Sequence, residues 1–302
     1  MGCRQYCTKN TTIAEIEDKV KECFCNEDFK KFIYAITILQ NLKTIDFNIN
    51  TYKVHCFYDF DLTIPSLCIT YGKLGYFKHI RKFFEVSLTL IEENLSNFKV
   101  SSLFFICSKN YPEFLKYYLP LYLENYKYFV PIKSFSINFY NFKNQMAVTE
   151  YTPVQIACES GFLNILNIIF EYFKDASFVP TELDIHGVNS SNGDNCALIA
   201  CRECNYSLAK FLYSKCDCDY SIVNFKGESA LQVACKGYQY NKSPNLLSIS
   251  KFLIEEVSVD LAYNYKETLN LCENKETFLY LIEKLSALGL ETPDLDKKFV
   301  SH

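Results

Sequence analysis

The 302-residue sequence has no tryptophan, two methionines, nine glycines and eight prolines. So little glycine and proline argues against a disordered or low-complexity chain. No run of about 18 apolar residues occurs, so no segment reads as a membrane-spanning helix. The N-terminus, MGCRQYCTKN, lacks the apolar stretch of a signal peptide. Positive charge is short too. The 31 Lys and Arg face 35 Asp and Glu, a formal charge of -4, whereas a nucleic-acid surface needs clustered Lys and Arg. No P-loop, GxGxxG, HExxH or Ser/His/Asp spacing is present. Only four histidines occur, His55, His79, His186 and His302. With 15 cysteines, some Cys–His pairing is expected by chance. The expectation is a chain that is not an enzyme, takes no cofactor and no metal, and binds no nucleic acid.

What is abundant is apolar surface. Hydrophobic residues make up 49% of the chain, with 23 Tyr and 26 Phe, enough to bury a sizeable core. The odd number of cysteines, spread over a long chain, is no disulfide framework. Free thiols imply a reducing, cytoplasmic compartment. The Asn-x-Ser/Thr sequons at Asn10, Asn94, Asn189, Asn205 and Asn241 then carry no glycan.

The organising signal is a repeat. Its clearest copy runs Thr152-Pro153-Val154-Gln155-Ile156-Ala157-Cys158-Glu159-Ser160-Gly161, followed by the apolar run Ile165–Phe170. Further copies begin at Asn195 (Ala200-Cys201, then Leu208–Tyr213) and Ser229 (Ala234-Cys235, then Ile249–Ile254). Two more degenerate copies begin at Ser101 and Ser66. All five starting residues are good helix N-caps, because their side-chain oxygens accept from the free amides of a first turn. Gln155 and Gln232 complete capping boxes. Pro153 stands where a helix tolerates proline, and Gly161 and Gly75 where a helix would end. Cys107 to Tyr117, Cys158 to Ile168 and Cys201 to Phe211 are each separated by 10 residues, but Cys235 to Phe252 by 17. A Tyr/Asn/Lys/Ser/Pro loop around 237–245 accounts for the excess.

TPVQIAC…G…NILNIIF resembles the ankyrin repeat, whose unit of about 33 residues carries T-P-L-H-x-A. Leu183-Asp184-Ile185, Asp219-Tyr220 and Val259-Asp260-Leu261 look like the residues that close such units, and Asn224-Phe225-Lys226-Gly227 like the turn between them. Most copies lack the proline and the histidine of the family motif, and His186 stands where the family favours Asn. The resemblance covers residues 64–285, most clearly 152–262. It implies an all-α solenoid of stacked helix-turn-helix units with hairpin-like loops. The expected layout is a single solenoid over 1–302: a divergent helical unit (1–63), degenerate repeats (64–150), the clearest repeats (151–262), and capping helices with a tail (263–302). A terminal unit with a polar outer face keeps such a stack soluble.

Several features compete for a role. Cys201-x-x-Cys204 with Cys216-x-Cys218 has the ligand types of a zinc site. Cys107, Cys158, Cys201 and Cys235 share one repeat position, however, which favours a buried slot for a small apolar side chain. Phe135–Phe142 alternates apolar and polar residues and reads as an extended finger. Gly2 and Cys3 resemble the start of acylated proteins, but Tyr6 stands where the motif asks for Ser or Thr. Acylation would make the chain a membrane-tethered regulator, the alternative to a free scaffold.

The resemblance implies a scaffold or adaptor that binds a protein partner. In the family the first helix of each unit and the inter-unit turn line the concave side. Carried onto this chain, that selects Glu159, Ser160, Arg202, Glu203 and Lys236 just after the Ala-Cys pairs, and the turn residues Tyr151, Asn192, Phe225 and Lys226, with Phe225 as a candidate anchor. These positions are expected to be solvated, so that reversing Arg202 and Lys236 together leaves stability unchanged.

Overall fold

The computed structural model describes residues 13–42, 48–55, 61–88, 91–93, 99–126, 151–237 and 245–293. The segment 135–142, the loop 238–244, and Gly2 and Cys3 lie outside the described residues. The chain falls into two compact units, residues 1–135 and 136–302.

The first unit opens with the antiparallel pair α1 (Ile13–Asn26) and α2 (Phe29–Leu42). Two short hairpins follow, each leading directly into a helix pair. Strands β1 (Lys53–His55) and β2 (Asp61–Thr63) pair with Val54 opposite Leu62, and precede α3 (Ile64–Thr70) and α4 (Leu74–Phe83). Strands β3 (Ile91–Glu93) and β4 (Lys99–Ser101) precede α5 (Ser102–Ser108) and α6 (Pro112–Tyr126). Aromatic rings fill the space between the second helices. Phe32 of α2 stacks on Tyr76 of α4, and Phe77 of α4 lies 5.2 Å from Phe114 of α6.

The second unit contains α7 (Pro153–Glu159), α8 (Leu163–Phe173), α9 (Cys196–Arg202), α10 (Tyr206–Ser214), α11 (Ala230–Lys236), α12 (Asn245–Lys251), α13 (Tyr265–Leu271) and α14 (Lys275–Ala287). A π-helical turn, Phe252–Glu256, continues α12. First helices α7, α9, α11 and α13 lie side by side in one layer; α10, α12 and α14 form the second. The first helices are seven residues long, too short to persist alone, and α9 is buried from Cys196 to Cys201.

The caps explain where these helices begin. The side chains of Ser101, Thr152, Asn195 and Ser229 accept from the amides of Phe104, Gln155, Leu198 and Gln232. Both expected capping boxes are present. The earliest copy differs. Its cap is Thr63, and Ser66 is the residue whose amide Thr63 accepts. The register of that copy therefore starts three residues before the expected one. The same shift moves the helix-ending glycine from Gly75, which lies inside α4, to Gly72 at φ +66. Gly161 holds the matching place at φ +71. At both glycines a Cβ would collide with the next copy, reaching 2.8 Å from the Tyr111 ring at Gly72 and 2.7 Å from Asn205 Nδ2 at Gly161. Asn110 and Cys204 take the same left-handed conformation in their copies.

Ala200 is fully buried in the middle of the first-helix row. Ala200→Phe must force α7 and α11 away from α9 and is expected to cost about 3 kcal/mol. Urea denaturation measures the loss; an unchanged midpoint would show that the row is not close-packed there.

Candidate functional site

The residue just before each cap and the residue seven after it meet in all three clear copies. Asp194 pairs with Arg202, and Glu228 with Lys236. In the first of the three copies the same two places hold Tyr151 and Glu159, whose side chains are hydrogen-bonded. The turn thus reaches over the end of its own first helix and holds the side chain there.

The turns are themselves held by buried amides. Asn189 Oδ1 accepts from the amides of Ser191 and Asn192, and Asn224 Oδ1 from those of Lys226 and Glu228. Gln155, fully buried, links its cap to the following turn: its Nε2 donates to the Gly187 carbonyl at 3.2 Å, and its Oε1 accepts from Asn189 Nδ2. Asn224 Nδ2 donates to Asp194 Oδ1 at 3.1 Å, tying one turn to the next. The Phe225 amide donates to the Asn192 carbonyl at 3.0 Å, and the Tyr263 hydroxyl to the Gly227 carbonyl.

Two of the expected partner-facing residues are not solvated. Tyr151 is buried, 5% exposed, beside Glu159. The Arg202 side chain is 16% exposed and closes on an Asp194 that is wholly buried. Arg202 is therefore not solvated as expected, and its reversal is now expected to be costly. Glu159, Ser160, Glu203 and Asn192 are partly exposed; Phe225, Lys226 and Lys236 are exposed. Phe225 is 69% exposed, yet its ring lies over Gly193, where a Cβ would come within 2.6 Å of it. Asp194, Glu228, Asn189 and Asn224 went unselected. An acid–base pair eight residues apart, occurring twice, was the available signal, but that spacing does not lie on one helix face.

The electrostatics follow from this pairing. The row's two cations are each engaged by a turn carboxylate, whereas Glu159 and Glu203 feel the Arg202 charge without an ion pair of their own. Burial, with the Glu203 charge second, pushes the Glu159 carboxyl up to about 7, against the Tyr151 hydrogen bond and Arg202. Burial likewise raises Glu203. The cysteines at the shared repeat position, Cys107, Cys158, Cys201 and Cys235, are all buried, and burial pushes the Cys107, Cys158 and Cys201 thiols well up. Among the described residues no group of three or more His, Cys, Asp or Glu side chains converges as metal ligands do.

The ankyrin repeat domain of Bcl-3, a unique member of the IkappaB protein family, superposes with a TM-score of 0.54 over 88% of this chain and 97% of that one, at 11% identity. The chain has the ankyrin-repeat fold. The human ASB11 ankyrin repeat domain is also similar, with a TM-score of 0.47 and 16% identity over 74% of this chain and 83% of that one. No protein-family pattern and no curated protein matches by sequence. Among the described residues no helix is long and apolar enough to cross a membrane.

The ankyrin stack makes its two cations unequal. Arg202→Glu leaves Asp194 buried beside a second acid and is expected to cost about 4 kcal/mol. Lys236→Glu disturbs a half-exposed pair and is expected to cost about 1 kcal/mol or less. Equal effects in urea denaturation would refute the distinction.

Glu159 gives a pH signature. The folded chain holds its proton up to about 7, and the unfolded chain releases it near the ordinary glutamate value. Between these values the folded state binds the extra proton, so this contribution to stability falls as pH rises and is constant above the folded value. Glu159→Gln removes the dependence. Its Tm relative to the unsubstituted protein is expected to become more favourable from about pH 5 to about pH 8. A pH-independent difference would mean that Glu159 titrates normally.

Proposed function

We propose that this chain is a non-enzymatic scaffold or adaptor that binds a protein partner through the first-helix row and inter-unit turns of residues 151–262. The observation that carries the reading is the repeated pairing of turn and helix end. It holds polar side chains of three successive copies in fixed positions along one side of the stack. Side chains already ordered before binding lose less entropy on forming an interface. The ankyrin-repeat fold supports the same side, since stacked repeats generate extended binding surfaces rather than a single pocket.

Within the row, Glu159, Ser160, Glu203 and Lys236 remain reachable, with Asn192, Phe225 and Lys226 on the turns. Tyr151 and Arg202 act behind them, Tyr151 by fixing Glu159 and Arg202 by neutralising Asp194. The partner surface this row suits is polar and carries positive charge opposite Glu203.

Site-specific photo-crosslinking tests the reading. A benzophenone side chain at Ser160, on the first-helix side, is expected to capture a partner. The same group at Tyr172, exposed on α8, is expected to capture none. Glu203→Lys should weaken the captured complex by roughly tenfold with little change in stability. Crosslinks from Tyr172 alone, or from neither position, would place the binding face elsewhere or remove the function.

A further inference from the structure

The second helix layer of the first unit carries a feature that the first-helix row does not use. Helices α2 and α4 together contain Lys30, Lys31, Lys78, Arg81 and Lys82 and no acidic residue, although the whole chain is net negative. On α4, Lys78, Arg81 and Lys82 stand three and four residues apart, the spacing at which like charges repel one another on a helix surface. Among the described residues of this unit, carboxylates pair with Lys21, Lys31, Lys73 and Lys116, and with none of this trio.

An aromatic ring holds two of them instead. Lys78 Nζ lies 4.7 Å from the centre of the Tyr117 ring, and the Arg81 guanidinium 5.8 Å. Arg81 also donates to the Tyr117 hydroxyl at 2.9 Å. Contact with a ring face orients a cation without cancelling its charge. Two other observations extend the patch. Phe83, next to Lys82, is 66% exposed and leans on His79, ring centres 4.9 Å apart. Gly75, exposed on α4, has no described residue within 4 Å of where a Cβ would stand. The favourable field at a helix C-terminus accounts for Arg81 and Lys82 in the last turn. It does not account for Lys78, nor for a bare phenylalanine beside them.

Cations in a stripe, flanked by an exposed aromatic ring, are the combination with which a surface helix meets an anionic bilayer: the charges take headgroup phosphates and the ring enters the boundary beneath them. The net charge of the chain does not oppose this, because at physiological salt each charge is felt over only about 8 Å. We propose that the exposed face of α4 docks on an anionic phospholipid surface, Lys78, Arg81 and Lys82 contacting headgroup phosphates and Phe83 inserting at the interface. The contact is reversible and independent of the first-helix row.

Co-sedimentation of the full chain with vesicles tests this. Binding is expected to vesicles of phosphatidylcholine containing about one-fifth phosphatidylserine, not to phosphatidylcholine alone, and should weaken as salt rises. Lys78→Glu with Lys82→Glu should reduce it at least about tenfold, and Lys78→Arg with Lys82→Arg should retain it. Both lysines are exposed, and circular dichroism checks that each variant is folded. Phe83→Ser should weaken binding several-fold. The proposal is overturned by equal binding to both vesicle types, by no binding, or by full binding of the double Glu variant. It is also overturned if Phe83→Ser binds as well as the unsubstituted chain while soluble polyglutamate displaces the protein from vesicles, an outcome that assigns the patch to an acidic polypeptide.

Discussion

A helix of seven residues closes too few backbone hydrogen bonds to offset the entropy of its nucleus. Helices α3, α5, α7, α9, α11 and α13 are all of this length, so each exists only because others lie beside it. That dependence dictates the rest of the sequence pattern. Side chains facing the neighbouring helices must be apolar and small enough for close approach, hence Ala157-Cys158, Ala200-Cys201 and Ala234-Cys235, all buried. The exposed amides of each first turn need an acceptor at once, hence the Ser, Thr or Asn side chain that caps α3, α5, α7, α9 and α11. The chain must also leave each short helix sharply. The residue nine after the cap is therefore left-handed in four copies, as Gly72, Asn110, Gly161 and Cys204.

Stacking also forces the turns to cross from one copy to the next, carrying backbone donors and acceptors into partly buried space. Those groups must be satisfied within the protein. Asn189 and Asn224 do so from the centre of each turn, and Gln155 from the helix beneath. Their buried amides in turn need partners, and Asp194 supplies one to Asn224. A carboxylate buried for that reason requires a cation, and Arg202 is the cation. The chain of necessity thus runs from a turn hydrogen bond to a side chain on the candidate binding row. Surface charge and fold stability share residues here, since Glu159 and Lys236 both stand on the row and engage a turn.

The layer pattern and four of five helix starts were legible because capping and small-residue signals are local. The misreadings have equally local causes. Thr63 and Ser66 are both good caps three residues apart, and Pro65 between them sits within the first helical turn; only the strand pairing up to Thr63 decides which one ends the extended segment. The Gly72 and Gly75 assignments follow from that choice. Arg202 was misread for a different reason. A charged residue at the end of a short helix normally faces water, and nothing in a helical periodicity shows that a turn eight residues upstream returns a carboxylate to it. The paired positions become visible only when the copies are aligned on their caps, where Tyr151–Glu159, Asp194–Arg202 and Glu228–Lys236 fall in one column.

Within this chain, that column shows how much one structural position can vary. Three chemically different pairs occupy the same two places: a phenol with a carboxylate, a carboxylate with a guanidinium, a carboxylate with an ammonium. The fold asks that the turn be held against the end of its helix, and each pair meets that demand with different surface charge. Burial does the same for the slot shared by Cys107, Cys158, Cys201 and Cys235, where each serves as a small apolar side chain. A thiol whose ionisation is pushed up by burial is a poor nucleophile, so the slot gains its packing volume without bringing cysteine reactivity with it. The packing positions are therefore narrow in size and broad in chemistry, and sequence can diverge widely before the stack fails.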